Sequence, residues 1–137
     1  MEKYMKTALE EAKKAYANGD VPVGAVIVNN DKIIAVAHNT KNSTQISINH
    51  AEILAIRKAC EVLKSWYLDD CIMYVTLKPC SMCEAAIAES RIKKVVYLLD
   101  SNYNLASNVD DITYIKSSDI YGYSDMVSDF IKRLRSE

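Results

Sequence analysis

Glycine and proline are scarce in this chain, at three and two of 137 residues. That excludes collagen-like, linker-like and low-complexity designs, which need one or both in quantity. Net charge is nearly absent too: 17 Lys and Arg against 18 Asp and Glu leave −1. No global field therefore draws the chain to nucleic acid, and any such contact has to be local. No apolar run approaches the roughly 18 residues of a membrane span. The first residues form a charged amphipathic pattern, not the apolar segment of an export signal. The expectation is a soluble, cytoplasmic protein. Half of the residues are apolar, enough for one domain, residues 1–137, with a core of its own.

Four cysteines stand at 60, 71, 80 and 83. A core of this size needs no disulfide staples, and the secretory context is missing. In a reducing compartment closely spaced cysteines bind metal or do redox work, and the informative pair is Cys80 and Cys83.

Met5, Ala8, Leu9, Ala12, Ala15 and Tyr16 recur at three and four, which predicts an amphipathic helix stopped at Asn18-Gly19. Val21 to Val28 and Ile33 to Ala37 flank the turn signal Asn29-Asn30-Asp31 and read as a hairpin of buried strands. Residues 39–49 are polar without a helix period, hence a loop. His50 to Leu63 is apolar nearly all round, a mostly buried helix with Arg57, Lys58, Glu61 and Lys64 as its wet stripe. Cys71 to Leu77 is a strand, Ser81 to Glu89 a short helix, and Lys94 to Leu99 a further strand. A short strand follows at Ile112 to Ile115, then a last helix with Met126, Val127, Phe130, Ile131 and Leu134 inside. This alternation gives an α/β fold with helices on both faces of a central sheet.

Two segments carry chemistry: His50-Ala51-Glu52, and Pro79-Cys80-Ser81-Met82-Cys83. Cys-x-x-Cys at a strand-to-helix junction also suits a thioredoxin-like dithiol. His-x-Glu, however, starts a second helix that can reach the same end of the sheet, where α/β folds place their sites. One imidazole and two thiolates give zinc three protein ligands, and a catalytic zinc keeps its fourth position for water. A structural zinc needs a fourth protein ligand. Cys60 lies roughly 15 Å along the helix from His50, and Cys71 on the order of 20 Å from Cys80. His38, at a strand end near the loop, stays open as a fourth ligand. Beside an open zinc, Glu52 can take a proton from water and pass it on. Its plain alternative is a first-turn acid that favours the helix dipole.

His-Ala-Glu followed thirty positions after its His by Pro-Cys-x-x-Cys resembles the cytidine/deoxycytidylate deaminase superfamily. Within it, Asp20-Val-Pro-Val-Gly-Ala-Val-Ile-Val28, His50-Ala-Glu-Ile53, Tyr74-Val-Thr-Leu-Lys-Pro-Cys-Ser-Met-Cys83, Ser90-Arg-Ile92 and Ser128-Asp-Phe130 are similar to the bacterial tRNA-specific adenosine deaminases. The resemblance implies a three-layer α/β/α fold around a mixed sheet of about five strands. It also implies a homodimer and one Zn2+ held by His50, Cys80 and Cys83. Glu52 becomes the proton shuttle, Asn39 a substrate-binding residue, and Ala25 and Ala51 backbone contacts to the base. The implied reaction is hydrolytic deamination of adenosine to inosine at the wobble position of a tRNA anticodon loop. The same zinc and glutamate serve deamination of a free base or nucleotide (guanine, cytosine or dCMP). A zinc-stabilised module without catalysis is a third reading.

The chain departs from that family at two places. The loop before His50 reads Ile46-Ser-Ile-Asn49, where the family carries Asp-Pro-Thr. The stretch after Tyr97 lacks the family's basic, glycine-rich residues: residues 100–129 hold six aspartates and one lysine, Lys116. Phosphate contacts dominate RNA affinity, so this segment argues against RNA on its own face. Arg91, Lys93, Lys94, Lys132, Arg133 and Arg135 are the remaining cations for such a contact. Phe130 reads either as a pocket aromatic or as core, and Tyr103, Tyr121 and Tyr123 as stacking platforms or packing.

Overall fold

A computed structural model describes residues 2–101, 111–119 and 121–136. The order is α1 (Glu2–Ala17), β1 (Gly24–Asn29), β2 (Lys32–His38), α2 (Lys41–Thr44), α3 (Ala51–Leu63), β3 (Cys71–Leu77), α4 (Ser81–Glu89), β4 (Lys94–Leu99), β5 (Thr113–Lys116) and α5 (Tyr123–Ser136). The strands form one sheet in the order β2-β1-β3-β4-β5. β1 is antiparallel to both β2 and β3, while β3, β4 and β5 run parallel. The expected mixed α/β sheet with helices on both faces is the architecture found.

Side-chain alternation along the central strands sorts the two cores. Ala25, Ile27, Met73, Val75, Val95 and Tyr97 point to the face covered by Ala55, Ile56 and Ala59 of α3 and Ile87 of α4. Val26, Val28, Tyr74, Val96 and Leu98 point to the opposite face, under Met5, Ala8, Leu9 and Ala12 of α1 and Tyr123 of α5. Because both faces are covered, the central strands β1, β3 and β4 are largely apolar, without the polar alternation of a one-sided sheet. The hairpin turn places Asn30 and Asp31 at φ 50° and 61°, the left-handed pair that a two-residue turn between twisted strands demands. Gly24 opens β1 directly beneath α1. A Cβ there would lie 1.9 Å from the carbonyl oxygen of Ala8, so the helix rests on the strand only because position 24 has no side chain.

Three sequence expectations change. The first strand begins at Gly24, not Val21, because residues 21–23 form a tight turn with the N–H of Val23 on the carbonyl of Val21 at 2.8 Å. The loop at 39–49 contains the one-turn helix α2. Its own N-cap residue, Thr40, makes no side-chain cap. Asp20 supplies it from elsewhere, accepting from the N–H of Asn42 and Ser43 and from the Ser43 hydroxyl at 2.7–2.9 Å. Third, α3 is buried only through its first turns; Val62 and Leu63 are exposed, as are Trp66 and Tyr67 beyond them. The Arg91 guanidinium lies 5.0 and 5.3 Å from those two aromatic rings. Phe130 is buried against Tyr16, which makes it a packing residue. Tyr103 and the stretch 102–110 of the acidic segment lie outside the described residues.

Candidate active site

Since β2 and β3 both run antiparallel to β1, they end at the same edge of the sheet, with the start of β1 between them. The segments that follow them carry the site. His50 is the N-cap of α3 and Cys80 the N-cap of α4, both with extended backbone (φ −74°; ψ 151° and 175°). Neither uses its side chain to cap the helix, so imidazole and thiol face each other. Cys83 enters from the first turn of α4. His50 Nδ1 lies 3.7 Å from Cys80 Sγ and 3.5 Å from Cys83 Sγ, and all three donor atoms fall within 4.8 Å of one another.

These distances test the metal expectation. Zinc bonds of about 2.0–2.1 Å to nitrogen and 2.3 Å to sulfur, arranged tetrahedrally, separate N and S ligands by roughly 3.6 Å. The two observed separations fit that figure, and two sulfurs with one imidazole suit zinc chemically. The other proposed ligands are elsewhere. His38 Nδ1 pairs with Glu11 Oε1 at 3.0 Å; Cys71 opens β3 at its far end, and Cys60 lies near the end of α3. Among the described residues the donor set is His50, Cys80 and Cys83 alone, with no fourth protein ligand.

Electrostatics match the geometry. Hydrogen bonds from Cys83 and His50 hold the Cys80 thiol down at about 3, well below an ordinary thiol. Cys83 moves the other way, because it donates to Cys80 and is more deeply buried. The His50 imidazole is raised by its contact with Cys80. Both helix N-termini add positive potential, which favours thiolate. Glu52, in the first turn of α3, is 4% exposed. Burial pushes its carboxyl up to about 7, against the lowering pull of a backbone N–H and of His50. A carboxyl that gains and loses a proton near neutrality is what proton shuttling requires.

A cavity of about 200 Å3 opens beside this group. Its wall includes Glu52, His50 and Cys80, with Asn39 and Lys41 from the β2 side, Val21 and Val23 from the α1–β1 turn, and Leu77, Lys78 and Ser101 from the β3–β4 side. Asn39 is buried and its Oδ1 accepts from the N–H of Lys41 at 2.9 Å. Its amide NH2 is thus the group left for a ligand. The turn role and the cavity role of Asn39 therefore coexist. Ala51 lies between two wall residues, whereas Ala25 sits within the sheet, paired with Ala37 and Val75; neither lines the cavity. Sequence reasoning missed Val21, Val23, Leu77, Lys41, Lys78 and Ser101 as wall residues. Proximity to His50 or Cys80 in sequence was the only signal for any of them.

Beneath α4, Tyr114 of β5 donates to Glu84 Oε2 at 2.6 Å. Burial and this carboxylate drive the Tyr114 phenol well above its ordinary range. The bond ties the edge strand to the helix that carries both cysteines.

Comparison with known proteins agrees with the site. The family model described as MafB19-like deaminase matches residues 1–135. A tRNA-specific adenosine deaminase of Bacillus subtilis is 53% identical over 96 residues, covering 70% of this chain and 60% of that protein. The enzyme of the same name from Aquifex aeolicus is 40% identical and covers 98% of this chain and 96% of its own. Among solved structures, one from a study of A-to-I editing by tRNA:A34 deaminases is 31% identical, with a TM-score of 0.77 over 85% of this chain and 98% of that one. A guanine deaminase from Bacillus subtilis is 39% identical, with a TM-score of 0.69 over 80% and 71%. The chain belongs to the MafB19-like deaminase family, in the company of the tRNA-specific adenosine deaminases that align with it.

Proposed function

We propose that the chain, acting as a single zinc-dependent deaminase domain, converts adenosine to inosine by hydrolysis at the wobble position of a tRNA anticodon. The observation that carries the chemistry is the buried Glu52 in the wall of a cavity beside His50 and Cys80, which group with Cys83. The observation that carries the substrate is near-full-length similarity to the Aquifex aeolicus tRNA-specific adenosine deaminase.

His50, Cys80 and Cys83 would hold Zn2+, which supplies a Lewis acid able to yield a hydroxide nucleophile from water near neutral pH. Glu52 accepts the proton that water releases and delivers it to N1 of the adenine ring. That transfer makes C6 electrophilic and lets the oxygen add there. Glu52 then moves a proton from the added oxygen to the exocyclic amine, and the C6–N bond breaks with loss of ammonia. The products are inosine and ammonia, and Glu52 ends as it began. The Asn39 amide NH2, in the cavity wall, orients the nucleoside; contacts from the backbone at Ala25 and Ala51 are what the family resemblance adds to this reading. A base in an anticodon loop reaches such a cavity without opening a duplex.

The reading includes a homodimer acting in the cytoplasm. Ile46 and Ile48 before His50, and Met82 between the cysteines, are exposed apolar groups that an interface would cover. One further reading has specific support: deamination of a free purine base, favoured by the 39% identity to the Bacillus subtilis guanine deaminase. Ammonia release by zinc-loaded protein decides between them. One arm offers an anticodon stem-loop with a wobble adenosine; the other offers free adenine, guanine, cytosine and their nucleotides. Inosine in the stem-loop alone is the expected result, and turnover of a free base with none on RNA overturns the wobble reading.

A further inference from the structure

The cavity is smaller than the roughly 300–1,000 Å3 typical of a pocket that encloses a drug-sized ligand. That volume suits a single ring system better than a whole nucleotide. The charged residues that line it are therefore informative, and two of them are lysines. Lys41 begins α2 just past the end of β2, and Lys78 follows the end of β3; both line the cavity. β1 separates those two strands, so the two backbones rise on the order of 10 Å apart, two strand spacings.

Neither lysine is used in the ion pairs of the described residues, where Lys14 pairs with Glu11, Lys116 with Asp100 and Arg133 with Asp129. Asp100 is the acid whose charge couples to Lys78, and it already accepts from the Tyr97 hydroxyl and from Lys116. The Lys78 ammonium lies 5.6 Å from the Tyr97 ring centre and 5.1 Å from that of Tyr114. Its main-chain N–H is tied to the carbonyl of Leu99 at 2.9 Å. The two aromatic faces attract the cation and hold it near one place. On the other side, Lys41 shares the cavity wall with Asn39 and His50. Two like charges that line one cavity repel each other, and an anion between them relieves that repulsion. A free base brings none. A nucleotide within a chain brings two phosphates, one on each side of the base.

We propose that Lys41 and Lys78 form a phosphate clamp at the mouth, engaging the backbone phosphates that flank the base in the cavity. This rests on the nucleobase-deaminase reading and deepens it, because it makes the site select a base within a polynucleotide over a free one. It also explains how a chain with an acidic 100–129 segment engages RNA: the required cations sit at the cavity itself.

The test is the salt dependence of binding of a fluorescently labelled RNA hairpin with adenosine at the wobble position, from 50 to 400 mM KCl. K41Q and K78Q are compared with wild type and with K13Q, an equal charge loss on the exposed side of α1. Each clamp substitution is expected to lower the slope of log K against log salt by about 0.7, the single-strand value per phosphate contact. K13Q should leave the slope unchanged, and K78R, which keeps charge and ring contact, should retain the wild-type slope. Slopes for K41Q and K78Q that parallel wild type, or a K13Q loss of equal size, overturn the clamp. Hairpin deamination by wild type identifies which idea has failed. If it is present while the slopes are unchanged, only the clamp falls. If wild type neither binds nor deaminates the hairpin, the wobble reading falls and takes the clamp with it.

Discussion

The phenol of Tyr123, fully buried at the start of α5, donates a hydrogen bond of 2.5 Å to the carbonyl of Pro22. Val21 and Val23, either side of that proline, line the cavity. The last helix thus holds the turn that shapes the site, although 101 residues separate the two partners. Tyr123→Phe keeps the packing and removes only the bond, leaving a buried carbonyl short of a donor. The expected cost is about 1–3 kcal/mol, seen in chemical denaturation. KM should rise several-fold with kcat little changed, because the wall moves while Glu52, His50, Cys80 and Cys83 do not. Lost stability with KM untouched would assign Tyr123 to packing alone.

Asp20 does for the opposite wall what Tyr123 does for this one. Its buried carboxylate takes two main-chain N–H groups and a hydroxyl of α2, and α2 begins with Lys41. Asp20→Ala strands those donors and uncaps the turn, at about 2–3 kcal/mol. The same variant should raise KM. Asp20→Asn, which keeps one acceptor oxygen, should recover part of both losses, with thermal melts and steady-state kinetics as the readouts.

Glu52 and the proposed metal ligands separate in a different way. Glu52→Gln keeps the shape and cannot shuttle a proton, so kcat should fall by roughly 10²–10⁴-fold with one zinc per chain retained by elemental analysis. Cys80→Ser should instead lose metal and activity together. Removal of the metal by chelation should abolish turnover and leave the far-UV circular dichroism intact, since neither core cluster uses the three ligands apart from the chain around them. Unfolding on chelation would mean that zinc is structural here.

Much of this was legible in the sequence. That His50, Cys80 and Cys83 come together was readable because a metal-binding group ties residue types to a spacing, and Glu52 is carried beside them by its place two residues after His50. The strands were readable because both faces of β1, β3 and β4 are covered, which demands unbroken apolar runs. What was not legible depends on partners far along the chain. The helix α2 is one turn long and exists through Asp20, a cap outside its own segment. Lys78 gave no sign of lining the cavity, because the rings that hold it come from β4 and β5. Val62 and Leu63 read as buried because a helical pattern does not say where the helix outruns the sheet.

Glu11 gives the pH prediction. It is buried on α1 with its carboxylate between His38 Nδ1 at 3.0 Å and Lys14 Nζ at 2.6 Å. Burial alone would raise its pKa, but the two hydrogen bonds and the two charges outweigh that and hold it below the usual carboxylate value. A group depressed in the folded state contributes stability that is present above its unfolded pKa, near 4.5, and is lost as pH falls through the folded value. Glu11→Gln should therefore lower stability at pH 7 by about 1–2 kcal/mol, a fall in Tm of roughly 3–7 °C for a chain of this size. Between pH 5 and pH 3 the wild-type Tm should drop more steeply than that of the variant, and the two curves should converge at the acid end. A gap that stays constant down to pH 3 would show that Glu11 stabilises α1 by packing, with its charge contributing nothing.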